Sequence, residues 1–293
     1  MLTALESVTA FQPDSALPVD KMLGILLIEA GLLKQTDIVT IQLCQKERNL
    51  RFGEAAVALG LVKETDIIRM LSSQFEYSYL PVSDRSLSAE LIAAYQPFTA
   101  SVETLRNLRT QIKLRIADTT SKILTVVGVN PGEGCSYLTA NLATVFSQLS
   151  ERTLLIDANL RAPRQHQVFN LTQRQGLADL LAGRCGLEVI TKIPALKDLS
   201  VLPAGTPPPN PQELLTRPAF GVLLHELSSS YEVILIDTPA AMLYADAQIV
   251  CAKTGVALLI ALKNHTRSND IFTLSKELQN NRVNCLGVVL NGK

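Results

Sequence analysis

From residue 122 onward, short runs of Val, Ile and Leu alternate with longer stretches whose apolar residues recur at helical spacing. The runs are ILTVVG (123–128), TLLIDA (153–158), LSVLPA (199–204), EVILID (232–237), VALLIAL (256–262) and CLGVVLN (285–291). Each is apolar at odd and even positions alike, so both faces of the strand call for burial. Strands of that kind separated by helices form a parallel sheet covered on each side. The pattern predicts a doubly wound α/β domain.

Upstream the period changes. M-L-G-x-x-L-x-x-x-G from Met22 recurs as R-F-G-x-x-A-x-x-x-G from Arg51, an offset of 29 residues. The correspondence continues through Leu33 and Val62, Ile38 and Ile67, and Gln45 and Gln74, giving copies of about 24 residues with a five-residue spacer. Apolar positions at helical spacing on either side of Gly31 and Gly60 predict two short helices broken by a turn in each copy. Residues 1–19, with two prolines and no sustained period, read as a leader, and 20–80 as a small, mainly helical repeat domain. Residues 81–101, rich in Pro and Ser, read as a linker, and 102–293 as the large domain, opened by a helix over 102–115.

Composition narrows the classes. A chain of 293 residues that is 47% hydrophobic fills two cores. Its 27 basic and 27 acidic residues leave no polybasic footprint for nucleic acid or a membrane surface, so an anionic ligand has to be held by local geometry. Five widely spaced cysteines without a CxxC pair point to a reducing cytoplasm. No run reaches the roughly 18 uninterrupted apolar residues of a spanning helix, so membrane contact is expected through a partner.

The candidate chemistry sits after the first apolar run, in G-V-N-P-G-E-G-C-S-Y from Gly128 to Tyr137. Glycines there let backbone N–H groups turn toward a phosphate, and the helix that follows presents its positive end. Pro131, Gly132, Glu133, Gly134, Cys135, Ser136 and Tyr137 form the candidate cradle, with Ser136 where a hydroxyl ligates Mg²⁺. Against G-x-x-x-x-G-K-[ST], Val129 replaces the first Gly and Cys135 replaces the Lys. Taken alone, the loop also describes a tight strand-to-helix turn. Asp157 and Asp237, each ending an apolar run, change the balance, because ligands of open α/β sheets bind beyond the carboxyl ends of strands. Loop and carboxylates together are the signature of a metal–nucleotide site. A thiol at a helix N-terminus can ionise, but a small neutral replacement is the simpler reading of Cys135. His166 and His225 lack partners at metal-ligand spacing.

These residues resemble the bacterial tyrosine kinases of capsule and exopolysaccharide systems. PGEG with Ser136 resembles their Walker A, LLIDANLR their second Asp-bearing motif and VILIDTPA their Walker B. GLADLLAGR (176–184), LPAGTPPPNPQELL (202–215) and YADAQ (244–248) extend the likeness, which covers residues 103–291. With RFGEAA and FSQLSERTLLID, the whole chain is similar to the EpsG-type chain length determinant tyrosine kinases. The resemblance implies an ATP-dependent protein-tyrosine autokinase that regulates polysaccharide chain length and export with a Wzz-like transmembrane co-polymerase. It implies a cytoplasmic protein, peripheral at the inner membrane through that partner. Asp157 and Arg161 are then catalytic, Asp157 as metal-linked base for a tyrosine hydroxyl, and Ser136, Asp157 and Asp237 organise Mg²⁺. Glu103, Arg106 and Arg109 match the family's E-x-x-R-x-x-R assembly motif and imply a homo-oligomer.

Three departures accompany the likeness. Cys135 stands where the family has Lys and the EpsG-type subgroup Arg, and Asn159 where it has a second Asp. The family's C-terminal tyrosine cluster has no counterpart, the six tyrosines being scattered. The alternative is therefore a catalytically impaired, nucleotide-binding regulatory scaffold of the same system. A partitioning ATPase of the ParA or MinD type would carry a second Lys where Asn130 sits. The N-terminal repeat resembles the first domain of type II secretion and pilus ATPases, a version of which binds cyclic di-GMP. That implies contacts from Arg51, Gly53 and Gln74 in the second copy and Gly24 and Gln45 in the first, where Met22 replaces an Arg. The alternative there is a structural adaptor.

Overall fold

The computed structural model describes residues 19–64, 66–67, 70, 79–81, 83–116 and 121–292. The chain divides into two compact units between Tyr77 and Ser78.

In the first unit the turns of the two repeat copies share their hydrogen bonds. Helix α1 (Val19–Glu29) ends at Gly31 and α3 (Phe52–Ala58) at Gly60, both at φ +69°, a left-handed turn that glycine adopts without steric cost. Leu32 N–H then donates to Leu27 O in one copy and Leu61 N–H to Ala56 O in the other. The next helices open alike, with Lys34 N–H on Asp37 Oδ2 at 2.8 Å and Lys63 N–H on Asp66 Oδ2 at 3.1 Å. Asp37 begins α2 (Asp37–Arg48). Leu23, Leu27, Leu33 and Ile41 pack with Phe52, Ala56, Val62 and Ile67 in one core.

Two of the glycines singled out in the sequence are set by this packing. A Cβ on Gly53 would stand 2.9 Å from Ile67 Cγ2, and one on Gly24 3.3 Å from Phe52 Cζ, so each allows side chains of a neighbouring element to close. Arg51 is exposed, with its backbone N–H on Glu54 Oε2, and Gln45 Nε2 reaches Leu50 O at 3.5 Å. Gln74 and the side chain of Met22 lie outside the described residues.

In the second unit, among the described residues, seven strands form one sheet in the order β3-β4-β2-β5-β1-β6-β7. These are β1 (Ile123–Gly128), β2 (Thr153–Asp157), β3 (Thr191–Lys192), β4 (Leu199–Leu202), β5 (Val233–Asp237), β6 (Val256–Leu262) and β7 (Asn284–Asn291). All pairings are parallel except β3 with β4. Both faces are covered over β1, β2, β4, β5 and β6, as their two-sided apolar runs require; edge strand β7 departs from that expectation and leaves Val288 and Leu290 exposed. Leu124, Val126, Leu155 and Leu235 pack under helices Ala100–Ile116 and Cys135–Ser147, through Leu105, Ile112, Leu142 and Phe146. Ile123, Leu154, Ile156 and Ile236 face Leu177, Phe220, Leu224 and Val250 on the opposite side.

The stretch expected as a linker enters this core. Leu80, Leu87, Leu91, Ala93 and Ala94 are buried in it. Fully buried Asn141, in helix Cys135–Ser147, accepts from Ala93 N–H at 3.0 Å and donates to Glu90 O at 2.9 Å. Gln148 Nε2 donates to Ala93 O, and Ser88 N–H to Val168 O. Residues 80–81 and 83–94 therefore form a strap, pinned through backbone groups that a free linker would leave to water.

Candidate active site

The order of strands assembles the site. β2 and β5 are adjacent and in register, with Asp157 opposite Asp237, while β5 also pairs with β1, which runs into the glycine loop. Neighbouring strands stand about 4.8 Å apart. Two carboxylates are thus forced side by side at the carboxyl end of the sheet, both fully buried.

The loop owes its shape to Gly132 and Gly134, at φ +78° and +85°, and helix Cys135–Ser147 starts directly after them. Its first N–H groups lack intrahelical acceptors and face the space where an anion binds. The loop is held from outside by buried Glu133, whose Oε1 accepts from Asn130 Nδ2 at 3.2 Å and from the Thr266 hydroxyl. Asn291, at the end of β7, donates its amide to Glu133 O at 2.9 Å. Cys135 points inward, its thiol donating to Val126 O at 3.4 Å. Burial, reinforced by the charge of Asp237, holds that thiol's pKa well above the ordinary value, so it is neutral and not an ionised nucleophile.

The two carboxylates are not equivalent. Asp157 Oδ1 accepts from Asn159 N–H at 3.1 Å, and Oδ2 from Arg164 and Gln165 N–H, both at 3.0 Å. Burial, then repulsion from Asp237, outweighs those bonds and pushes its pKa up to about 8. Burial also raises Asp237, with the Ser136 hydroxyl and Gln165 amide pulling the other way. Asp237 Oδ2 accepts from Gln165 Nε2 at 2.7 Å, whereas Oδ1 is buried without a hydrogen-bond partner. A divalent cation fits this arrangement: it would take the orphaned oxygen and relieve the repulsion. Among the described residues no three His, Cys, Asp or Glu side chains form a metal cage. The pair of carboxylates suits Mg²⁺, which uses one or two carboxylates and keeps water and phosphate oxygens for the rest.

Asn159 and Arg161 serve the loop after β2. Asn159 Oδ1 accepts from Ala162 N–H at 3.0 Å and turns the chain. Arg161 forms a bidentate pair with fully buried Asp246, at 2.8 and 3.1 Å, and its guanidinium carbon lies 4.0 Å from the centre of the Tyr244 ring. The residue expected as catalytic is thus committed to tying this loop to the one after β5.

The assembly motif is split in the same way. Glu103 and Arg106 pair with each other at 3.1 Å on the outer face of their helix. Arg109 instead donates to Val145 O at the far end of helix Cys135–Ser147. Arg109→Ala should lower unfolding free energy by about 1.5–3 kcal/mol, the range for a hydrogen bond from a charged group. Arg106→Ala should cost less, about 0.2–1 kcal/mol, since its partner Glu103 is solvent-exposed although Arg106 itself is half-buried. Denaturant unfolding of the two variants checks this.

Gln165, Asp246, Thr266 and Asn291 escaped the sequence reading. Asn291 ends the last strand and Asp246 sits in YADAQ, so position at a strand's carboxyl end was a usable signal for the first; Gln165 and Thr266 carry no local one.

Residues 121–273 match the family model for cellulose biosynthesis protein BcsQ. The chain is 34% identical over 226 residues to a putative tyrosine-protein kinase EpsB of Ralstonia solanacearum, covering 73% of this chain and 30% of that one. It spans about 30% of the length of the curated relatives it matches. The kinase domain of the Escherichia coli tyrosine kinase ETK superposes with a TM-score of 0.67 at 30% identity, over 73% of this chain and 81% of that domain. The cell division ATPase MinD of Pyrococcus furiosus gives 0.51 at 25% identity, over 59% and 72%. On these matches, with the sheet order and the loop between β1 and helix Cys135–Ser147, the chain belongs to the bacterial tyrosine-protein kinase family, built on the P-loop fold.

Proposed function

We propose that this chain is an ATP-dependent protein-tyrosine kinase of exopolysaccharide biosynthesis. The observation that carries it is the in-register pair Asp157 and Asp237 beside the glycine loop, with Asp237 Oδ1 left unpartnered. Backbone N–H groups from Gly132 to Tyr137 hold the phosphates, and Ser136, Asp157 and Asp237 hold Mg²⁺, which neutralises phosphate charge. Asp157, buried at the end of β2 beside Asp237, takes the proton of the tyrosine hydroxyl once the cation has relieved the repulsion between the two carboxylates. The substrate side is a Wzz-like transmembrane co-polymerase, through which the chain sits at the inner membrane and sets polymer length and export. No helix among the described residues is long and apolar enough to cross a membrane. The outward pair Glu103 and Arg106 supports a subunit contact in a homo-oligomer.

Cys135 favours a second reading, a nucleotide-binding scaffold with little or no phosphotransfer. Titration of the full chain with ATP and ADP, with and without Mg²⁺, combined with a phosphotyrosine assay on the co-expressed co-polymerase, separates the two. Mg²⁺-dependent binding with phosphorylation supports the kinase, binding alone the scaffold, and no binding at millimolar nucleotide overturns both. The exposed Arg51 and the repeat support cyclic di-GMP as a ligand of the first unit. In that case Met22→Arg should tighten its binding in the same calorimeter.

A further inference from the structure

Gln165 opens a short helix, Gln165–Val168, and its side chain is fully buried. Its amide nitrogen donates to two acceptors, Asp237 Oδ2 at 2.7 Å and Ser136 O at 3.1 Å. Neither partner has a proton to give when Asp237 is ionised, so the NH₂ group must face them and the amide orientation is fixed. The carbonyl Oε1 is then buried with no hydrogen-bond partner, as is Asp237 Oδ1. The backbone N–H of the same residue donates to Asp157 Oδ2 at 3.0 Å. One residue therefore touches both carboxylates and the first turn of helix Cys135–Ser147, and leaves an acceptor beside them unused. Native interiors rarely leave such an oxygen unsatisfied unless a ligand or water supplies the donor.

We propose that Gln165 is a positioning residue of the cation site. Its Nε2 fixes the side chain of Asp237, and its Oε1 accepts a hydrogen bond from a water molecule carried by the cation. Mg²⁺ keeps several of its waters in protein sites, and their protons need acceptors beyond the direct ligands. The orphaned Asp237 Oδ1 meets the ion, and the orphaned Gln165 Oε1 meets its hydration shell. This rests on the Mg–nucleotide reading above.

The test uses the full chain and two variants. Gln165→Met keeps the length of the side chain and removes both polar atoms; Gln165→Glu keeps an acceptor at Oε1 and loses the donor. ADP affinity is measured by calorimetry in Mg²⁺ and in EDTA, together with the melting temperature in EDTA. Wild type should bind ADP more tightly in Mg²⁺. Gln165→Met should lose that gain by roughly tenfold, about 1.4 kcal/mol. Its affinity in EDTA should stay within about twofold, while its melting temperature in EDTA should fall, because Asp237 Oδ2 and Ser136 O lose their donor. Gln165→Glu should recover most of the Mg²⁺ gain and melt lower in EDTA, where an oxygen replaces the donor between two acceptors.

A wild-type Mg²⁺ gain in Gln165→Met, or equal impairment of both variants, overturns the proposal. A wild type that binds no ADP at all fails earlier and for a different reason, since it removes the nucleotide reading itself.

Discussion

Cys135→Lys should tighten ATP binding by roughly ten- to a hundredfold, the equivalent of one charge-assisted contact to phosphate. The present side chain cannot supply that contact, because its thiol is neutral and turned to Val126 O beneath the loop. A lysine at the same position carries an ammonium on a four-carbon stem, long enough to leave the buried pocket for the phosphates. Phosphoryl transfer depends on positioning and charge stabilisation, so the rate should gain at least as much as the affinity. Adding Asn159→Asp should gain further without harming the turn, since a carboxylate accepts from Ala162 N–H as the amide oxygen does now. Calorimetry with ATP and the phosphotyrosine assay read the two effects. A wild type as active as the double variant means that another cation already serves the loop. Arg161 is engaged with Asp246, so that cation would come from the partner.

The second large effect concerns pH. Asp157 titrates at about 8 in the folded protein against an ordinary 3.8, so between these values the native state holds a proton that the unfolded chain has released. Stability must then fall as pH rises: this contribution is fully present below pH 4 and gone above about 8. The limiting slope is about 1.4 kcal/mol per pH unit for one proton, which belongs to the pair rather than to Asp157 alone. Asp237→Asn should flatten the slope. The amide oxygen can still accept from Gln165 Nε2, the NH₂ group replaces an oxygen that had no partner, and the repulsion on Asp157 disappears. In EDTA at pH 8 the variant should be more stable than wild type by on the order of 1–3 kcal/mol, while Mg²⁺-dependent ADP binding is lost. Guanidinium unfolding at pH 5, 6.5 and 8 measures the slopes, and parallel profiles for the two proteins would refute the account.

The strands of the sheet were legible because burial on both faces writes itself as an unbroken apolar run: β1 and β6 coincide with ILTVVG and VALLIAL to the residue. β3 was not legible, being two residues at an antiparallel edge with too little chain to form a pattern. The loop and both strand-end aspartates could be read, since a glycine turn and a carboxylate at a strand end are local signals. What could not be read was closure. Gln165 meets Asp237 across 72 positions and Thr266 meets Glu133 across 133, and nothing near either residue marks the meeting. The repeat was visible as a 29-residue echo, but that Gly24 and Gly53 answer to packing appears only once Phe52 and Ile67 are in place. The strap misled for a chemical reason. Its Pro and Ser content reads as loose chain, yet Leu87 and Leu91 are buried in the core and Asn141 accepts from the backbone of Ala93.

That strap also sets where this architecture can be cut and rejoined. If modules are gained and lost at the seam between them, the seam here cannot lie at residue 102, where the long helix region opens. A fusion made there would strip Asn141 and Gln148 of the peptide groups they bind and uncover Leu87 and Leu91. It has to lie near residue 78, where the compact units part. The second unit therefore carries its own preamble, about twenty residues that read as tether in the sequence and are fastened to the helix behind the phosphate loop.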